Sequence, residues 1–308
     1  VSGETPIAWR VDRDAAMIEK LLFATRFEEL QFDALQSLLS LRQAGLNHVV
    51  FLSVIERDKV AMRRGSGYHK RTEVRLREKI NIRFIDWAET LFEQGMEVGV
   101  YIVVGGWASQ ISAATKKEET DLIVIGPQKK GLLSQFYSGS ELLEIVHVTR
   151  TPLLVYKYHS SESKSAQQPF ARPLVAVDFA NGDNRAALSF FKALGDVVEE
   201  ATLIHVLHEK KLKGESAMAV QSARKESRRQ LETMCDTLEA AGIAARPRVY
   251  VGETVSEIER AARENQASMI VTTASRRSNI SARFGGSVSR TVAEKTAYPT
   301  LIMPPEQP

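Results

Sequence analysis

The sequence predicts an α/β protein of two tandem doubly wound domains, each a five-stranded parallel sheet with helices on both faces. Two observations carry that expectation. Short, almost wholly apolar runs alternate with amphipathic helical stretches, the pattern of parallel strands buried under helices. After residue 172 the alternation starts again in the same order, with glycines, serines and prolines at a constant distance from those of the first half. At 308 residues the chain is long for one hydrophobic core and comfortable for two.

The elements follow in order. EKLLFAT (19–25) reads as the first strand, and the helix after it sets Phe27, Leu30, Ala34, Leu38 and Leu41 at helical spacing. NHVVFLSVIE (47–56) reads as the second strand. A polar, glycine-containing stretch leads from it into a long helix whose Leu76, Ile80, Phe84, Trp87 and Leu91 form one stripe, read as core. MEVGVYIVVGG (96–106), DLIVIG and TPLLVYKY (151–158) are the remaining strands, separated by the helices WASQISAATKKEE and SELLEIVHV. HSSESKSAQQPFAR (159–172) is rich in serine, glutamine and charge and reads as a linker. Beyond it come PLVAVDFA, NRAALSFFKALGD, ATLIHVLHE, a long charged helix, RPRVYVG, ETVSEIERAARENQ, SMIVTTA, GSVSRTVAEKT and YPTLIMP. The expected organisation is a lead-in over 1–18, domains over 19–158 and 173–304, and a linker over 159–172.

The repeat holds a numerical register. Gly105, Gly126, Gly139, Ser140 and Pro152 pair with Gly252, Thr273, Gly286, Ser287 and Pro299, each pair 147 positions apart. Nearer the front, Arg26 pairs with Asp178 and Val54 with Val206 at an offset of 152, so the second copy is five residues shorter between its second and third strands. Loops and helix ends there absorb a length change most cheaply.

Composition excludes several classes. An apolar fraction of 44% and a charged fraction of 26% are those of a globular protein. A net charge of +3 is too small to indicate a nucleic-acid partner by itself. The segment RDKVAMRRGSGYHKRTEVRLREK (57–79), with Tyr68 among its cations, is the strongest basic patch, but Glu56, Asp58, Glu73 and Glu78 dilute its field. We read it as a loop and a solvated helix face, so nucleic acid is not the expected partner. The lone Cys235 leaves no disulfide framework and no paired-cysteine metal or redox site. No apolar run approaches the roughly 20 residues of a membrane span, and VSGETPIAWRVDRDAAM lacks the apolar core of a signal peptide. A trimmed start, no membrane partner and a cytoplasmic setting are expected.

The chemistry concentrates in GPQKKGLLSQFYSGS (126–140). Its first six residues have the glycine spacing of a phosphate-cradling P-loop, but Leu132 and Leu133 stand where that loop requires Lys and Ser or Thr. What remains is Gly126 at a strand end and Gly139-Ser140 at a helix start. A helix N-terminus offers free N–H groups and a positive dipole end to a phosphate. A serine there also caps its own helix. Both readings stand. Lys129-Lys130 and Arg276-Arg277 occupy equivalent places, either as solvated loop charge or as cations holding an anion. His205 and His208, three apart on a strand, point to opposite faces, and no metal site is expected from them. Hydrolase, metalloprotease and paired-carboxylate motifs are absent, so catalysis is not the expected activity.

The order strand, G-x-x-G, nine residues, G-[S/T], helix, Pro, strand resembles the nucleotide-binding motif of the universal stress protein family, whose fold is similar to that of adenine nucleotide alpha hydrolase-like proteins. The first copy reads Gly126-Pro127-Gln128-Lys129, nine residues, Gly139-Ser140; the second reads Thr273-Ala274-Ser275-Arg276, nine residues, Gly286-Ser287. Asp178 in AVDFA matches the family's acidic residue after its first strand, where the first copy has Arg26. Lys129 and Arg276 replace the motif's middle glycine. The resemblance implies a strand order of 3-2-1-4-5, adenine against the backbone of Val54 and Val206, and ATP, ADP or AMP as ligand without a metal site. It implies an internal pseudo-dimer through the fifth strands and leaves a homodimer open. The implied function is stress-related regulation through degenerate nucleotide sites, by binding. Two other readings stay open: slow ATP hydrolysis, and a ligand-free interaction module with both sites dead.

Overall fold

The structure is a computed structural model that describes residues 18–25, 32–60, 69–126, 139–157, 168–179, 184–274 and 288–305, with the backbone alone at 58–59, 139–141 and 211. Ten strands form one sheet in the order β3-β2-β1-β4-β5-β10-β9-β6-β7-β8. The first half supplies β1 (Lys20–Thr25), β2 (His48–Glu56), β3 (Glu97–Gly105), β4 (Leu122–Ile125) and β5 (Leu153–Val155). The second supplies β6 (Pro173–Ala176), β7 (Glu200–His208), β8 (Ala244–Gly252), β9 (Met269–Thr273) and β10 (Thr300–Met303). Each half therefore has the order 3-2-1-4-5, and every pair within a half is parallel.

The helices of the first half are α1 (Phe32–Leu38), the four-residue α2 (Arg57–Val60), α3 (Lys70–Glu93), α4 (Trp107–Glu118) and α5 (Gly139–Thr149). Those of the second are α6 (Arg185–Leu194), the four-residue α7 (Glu209–Leu212), α8 (Ala217–Glu239), α9 (Thr254–Glu264) and α10 (Val288–Lys295). The expected first helix enters the described residues at Phe32 and tightens into a 3-10 segment, Leu39–Ala44, that stops at Gly45 with φ 105°. Glycine takes that left-handed conformation without a steric penalty. Phe27 and Leu30 lie outside the described residues.

The stripe read from α3 is core. Ile80, Phe84, Trp87 and Leu91 are buried and Leu76 packs partly buried against them. Phe84 stacks on Phe51 of β2 at 5.0 Å, and Phe23 of β1 meets Phe51 edge-on at 6.1 Å. Such pairs add about 0.5–1.5 kcal/mol each beyond the area they bury. They fix α3 over the centre of the first half's sheet. Phe170 and Ala171, at the end of the stretch read as linker, are fully buried ahead of β6.

The two halves join through their fifth strands. Leu153, Leu154 and Val155 of β5 run antiparallel to Ile302, Leu301 and Thr300 of β10. An edge strand left open exposes a row of unpaired backbone groups, and this pairing closes two such edges at once. α5 packs on α10 across the seam on one face, and Leu39–Ala44 packs on the 3-10 segment Gly195–Val197 and on α6 on the other. One cation at the seam is not repeated in the second copy. Lys157 is buried and donates from Nζ to the carbonyl of Thr296 at 2.5 Å, while the position 147 residues on is Pro304. Burial pushes its ammonium from the usual 10.5 down to about 7, against a smaller opposing pull from Glu259.

Candidate functional site

The crevice to inspect in such a fold lies beyond the carboxyl ends of the strands, where the strand order reverses between the first and fourth strands. In the first half β1 ends at Thr25, which pairs with Ser53 of β2, and Ala24 pairs with Ile125, the last residue of β4. Gly126, the next residue, is buried, and by this register it stands level with Thr25. Val54, one residue beyond Ser53, is buried in a cluster with Ala24, Ile125, Trp107 and Ile111. The side chain of Val54 is thus anchored in the core beneath α4. α5 starts at Gly139-Ser140, whose backbone forms its first turn.

In the second half β6 ends at Ala176, and Asp178 is exposed two residues later. His205 of β7 holds this segment from both sides of Asp178. Its Nδ1 lies 2.8 Å from the carbonyl of Val177, and its ring lies 4.7 Å from that of Phe179. The short contact with a carbonyl requires the proton on Nδ1. His208 turns instead to the start of α7, accepting from the N–H of Lys210 at 3.2 Å. Val206 is half-buried between them in sequence. At the end of β9, Ser289 of α10 donates to the carbonyl of Thr273 at 2.8 Å, tying the helix's first turn to the strand.

The halves differ most in the charge placed at this end. α4 begins after Gly106, which offers no capping side chain. The equivalent residue before α9 is Glu253, whose carboxylate accepts from the N–H groups of Ser256 at 2.8 Å and Val255 at 3.2 Å. The Ser256 N–H holds that carboxyl below its ordinary range. A helix N-terminus already filled by a carboxylate repels a phosphate that a bare one attracts.

A second shared device precedes those helices. A β-carbon on Gly105 would meet Gln110 Nε2 at 2.7 Å, and one on Gly252 would meet Glu257 Oε1 at 2.8 Å. Gln110 and Glu257 are also 147 positions apart, so both copies fold the first-turn side chain of the helix back over a strand-terminal glycine.

Of the expected site residues, the structure places Val54 and Gly126 together at the first crevice, with the backbone of Gly139 and Ser140 opening α5. Asp178 and Val206 stand at the second. Lys129, Arg276, Gly286 and Ser287 lie outside the described residues, as does Arg26. Sequence reasoning passed over Glu253 and undervalued His205. The repeat register contained both signals, since Glu253 pairs with Gly106 at 147 and His205 with Ser53 at 152.

The model of the universal stress protein family matches residues 17–157 and again 170–304. The chain belongs to the universal stress protein family. A universal stress protein from Archaeoglobus fulgidus DSM 4304 is similar in structure, with a TM-score of 0.68 and 19% identity over 94% of this chain and 98% of that one. A protein of unknown function from Pseudomonas aeruginosa PAO1 is similar at a TM-score of 0.61 and 17% identity, covering 94% of this chain and 93% of that one. At these identities the likeness establishes the tandem fold alone. No curated protein matches the chain. Among the described residues, no group of three metal-ligating side chains converges, and no helix is long and apolar enough to cross a membrane.

Proposed function

We propose that the chain is a stress-response regulator that binds an adenine nucleotide, ATP, ADP or AMP, at the crevice of its first half and acts by binding. The observation that carries this reading is the buried Gly126 just beyond the end of β4, level with Thr25 and one residue short of Val54. Without a β-carbon, that position lets a ligand approach the backbone closely. The N-terminus of α5 supplies free N–H groups for phosphate, and the backbone of Val54 supplies partners for the base. Lys129 and Ser140 complete the anion-holding set in this proposal. The nucleotide, when bound, supplies the signal; the residues of the chain only hold it.

The second half supports a weaker site. Asp178, Val206, Arg276, Gly286 and Ser287 offer the matching positions, but Glu253 adds negative charge and Ser289 engages the strand end where the first half has glycine. Nucleotide selection therefore rests on the first half. The test is direct. Freshly purified protein is denatured, and the supernatant is analysed by chromatography and mass for adenine nucleotide. Release of up to one nucleotide per chain is expected, and incubation with ATP should give no ADP over hours. Steady ADP formation would replace the binding reading with slow hydrolysis.

A further inference from the structure

The solvent side of α3 carries a second apolar stripe that the domain core does not use. Val74, Ile82, Ile85 and Phe92 are 44%, 64%, 47% and 58% exposed. With 3.6 residues per turn, Val74, Ile85 and Phe92 fall within about 20° of one line along the helix, and Ile82 flanks that line. The counterpart helix α8 exposes a single large apolar side chain among the described residues, Met218 in its first turn. The stripe is thus a property of this helix and not of its place in the fold.

Charge along the same flank is split by sequence. Arg71 and Arg75 are exposed on the Ile82 side of the stripe in the N-terminal half, interrupted there by the exposed Glu78, and Glu89 and Glu93 are exposed on that same side in the C-terminal half. A helix with this pattern complements its own reverse. In an antiparallel pair with a twofold axis near residue 83, Val74 of one copy meets Phe92 of the other and Ile82 meets Ile85. Arg75 then sits between Glu89 and Glu93 of the second copy, and Arg71 faces Glu93. A parallel pair would instead set the mainly basic half of one helix beside that of the other. Isologous contacts of this kind use one patch twice and close at two copies.

We infer that α3 is a homodimerisation surface, through which two chains pair antiparallel across the Val74, Ile82, Ile85 and Phe92 stripe. Val100 of the edge strand β3, 41% exposed, shares the sheet face of Val98 and Ile102 beneath α3 and extends the apolar surface toward the edge. A helix pair of this length buries less than the ~800 Å² per partner of a standard interface. The dimer is therefore expected to dissociate at roughly micromolar concentration.

Sedimentation equilibrium over low to several hundred micromolar protein tests the proposal. The wild-type chain should pass from 34.3 kDa to about twice that mass. Ile82→Glu combined with Ile85→Glu should remain monomeric at every concentration while keeping the wild-type thermal unfolding, since both residues lie outside the core. Arg75→Glu alone should weaken dimerisation about tenfold, and adding Glu89→Arg should restore it by exchanging the two charges across the axis. Raising the salt concentration should weaken the wild-type dimer. A wild-type chain that stays monomeric, a dimer untouched by the isoleucine substitutions, or a charge exchange that fails to restore association would each overturn the assignment.

Discussion

Lys157 gives the fold a pH dependence that can be worked from its surroundings. The side chain crosses the seam between the halves, is almost fully buried and bonds the carbonyl of Thr296. Its ammonium falls from 10.5 in the open chain to about 7 in the folded protein, chiefly through desolvation. Below pH 7 the folded state must hold a buried cation, and this term costs its full amount. Between pH 7 and 10.5 the unfolded chain binds the proton more strongly than the folded one, so stability rises with pH. The whole shift corresponds to about 5 kcal/mol, of which about 2 kcal/mol is gained between pH 7 and 9. The Cys235 thiol, pushed by burial from 9.0 up to about 11, opposes the trend at higher pH, so the comparison ends there. Denaturant unfolding of the wild type and of Lys157→Met at half-unit pH steps reads the difference. The wild type should gain about 2 kcal/mol relative to the variant from pH 7 to 9. Parallel stability curves would refute the claim that this lysine is desolvated at the seam.

Three further outcomes follow from named contacts. Phe84→Ala removes the ring stacked on Phe51 and should cost about 3–5 kcal/mol, read as a lower denaturant midpoint with an unchanged slope. Gly105→Ala drives a β-carbon into Gln110 and should cost about 1 kcal/mol; Gln110→Ala in the same chain should recover most of it, as thermal unfolding will show. Gly139→Val should weaken nucleotide binding to the first half while leaving the fold intact, by blocking approach to the start of α5. Unchanged affinity in a folded variant would move the site to the second half.

Much of this architecture was legible because apolar runs and helical stripes are consequences of burial. LIVI in β4 and LLFAT in β1 are hydrophobic at successive positions because both faces of the sheet are covered, and α3 is periodic because one side meets Phe51. The constant offset located the second copy, and the family resemblance pointed to a seam through the fifth strands; that β5 and β10 run antiparallel there comes from the structure. Other features left weak traces. Phe170 sits in a polar stretch and gives no periodic signal, yet it is fully buried. Lys157 lies in the strand run TPLLVYKY, and nothing in that run signals that its cation is buried against Thr296 of the second half. Glu253 is one carboxylate among many until the backbone turn at Val255 and Ser256 encloses it. Each depends on contacts between residues far apart in sequence or on local backbone direction, which spacing alone does not encode. That Val54 and Gly126 fall near strand ends could be read from the strand pattern, because strands keep their register. The sequence around Lys129 follows no such periodicity.

The proposed function turns on whether the first crevice takes a nucleotide. Calorimetric titration of nucleotide-stripped protein with ATP, ADP and AMP, repeated on Gly139→Val, measures that most directly. Saturable heat at sub-millimolar nucleotide, near one site per chain and lost in the variant, is the predicted result. Absence of heat with all three nucleotides would contradict it.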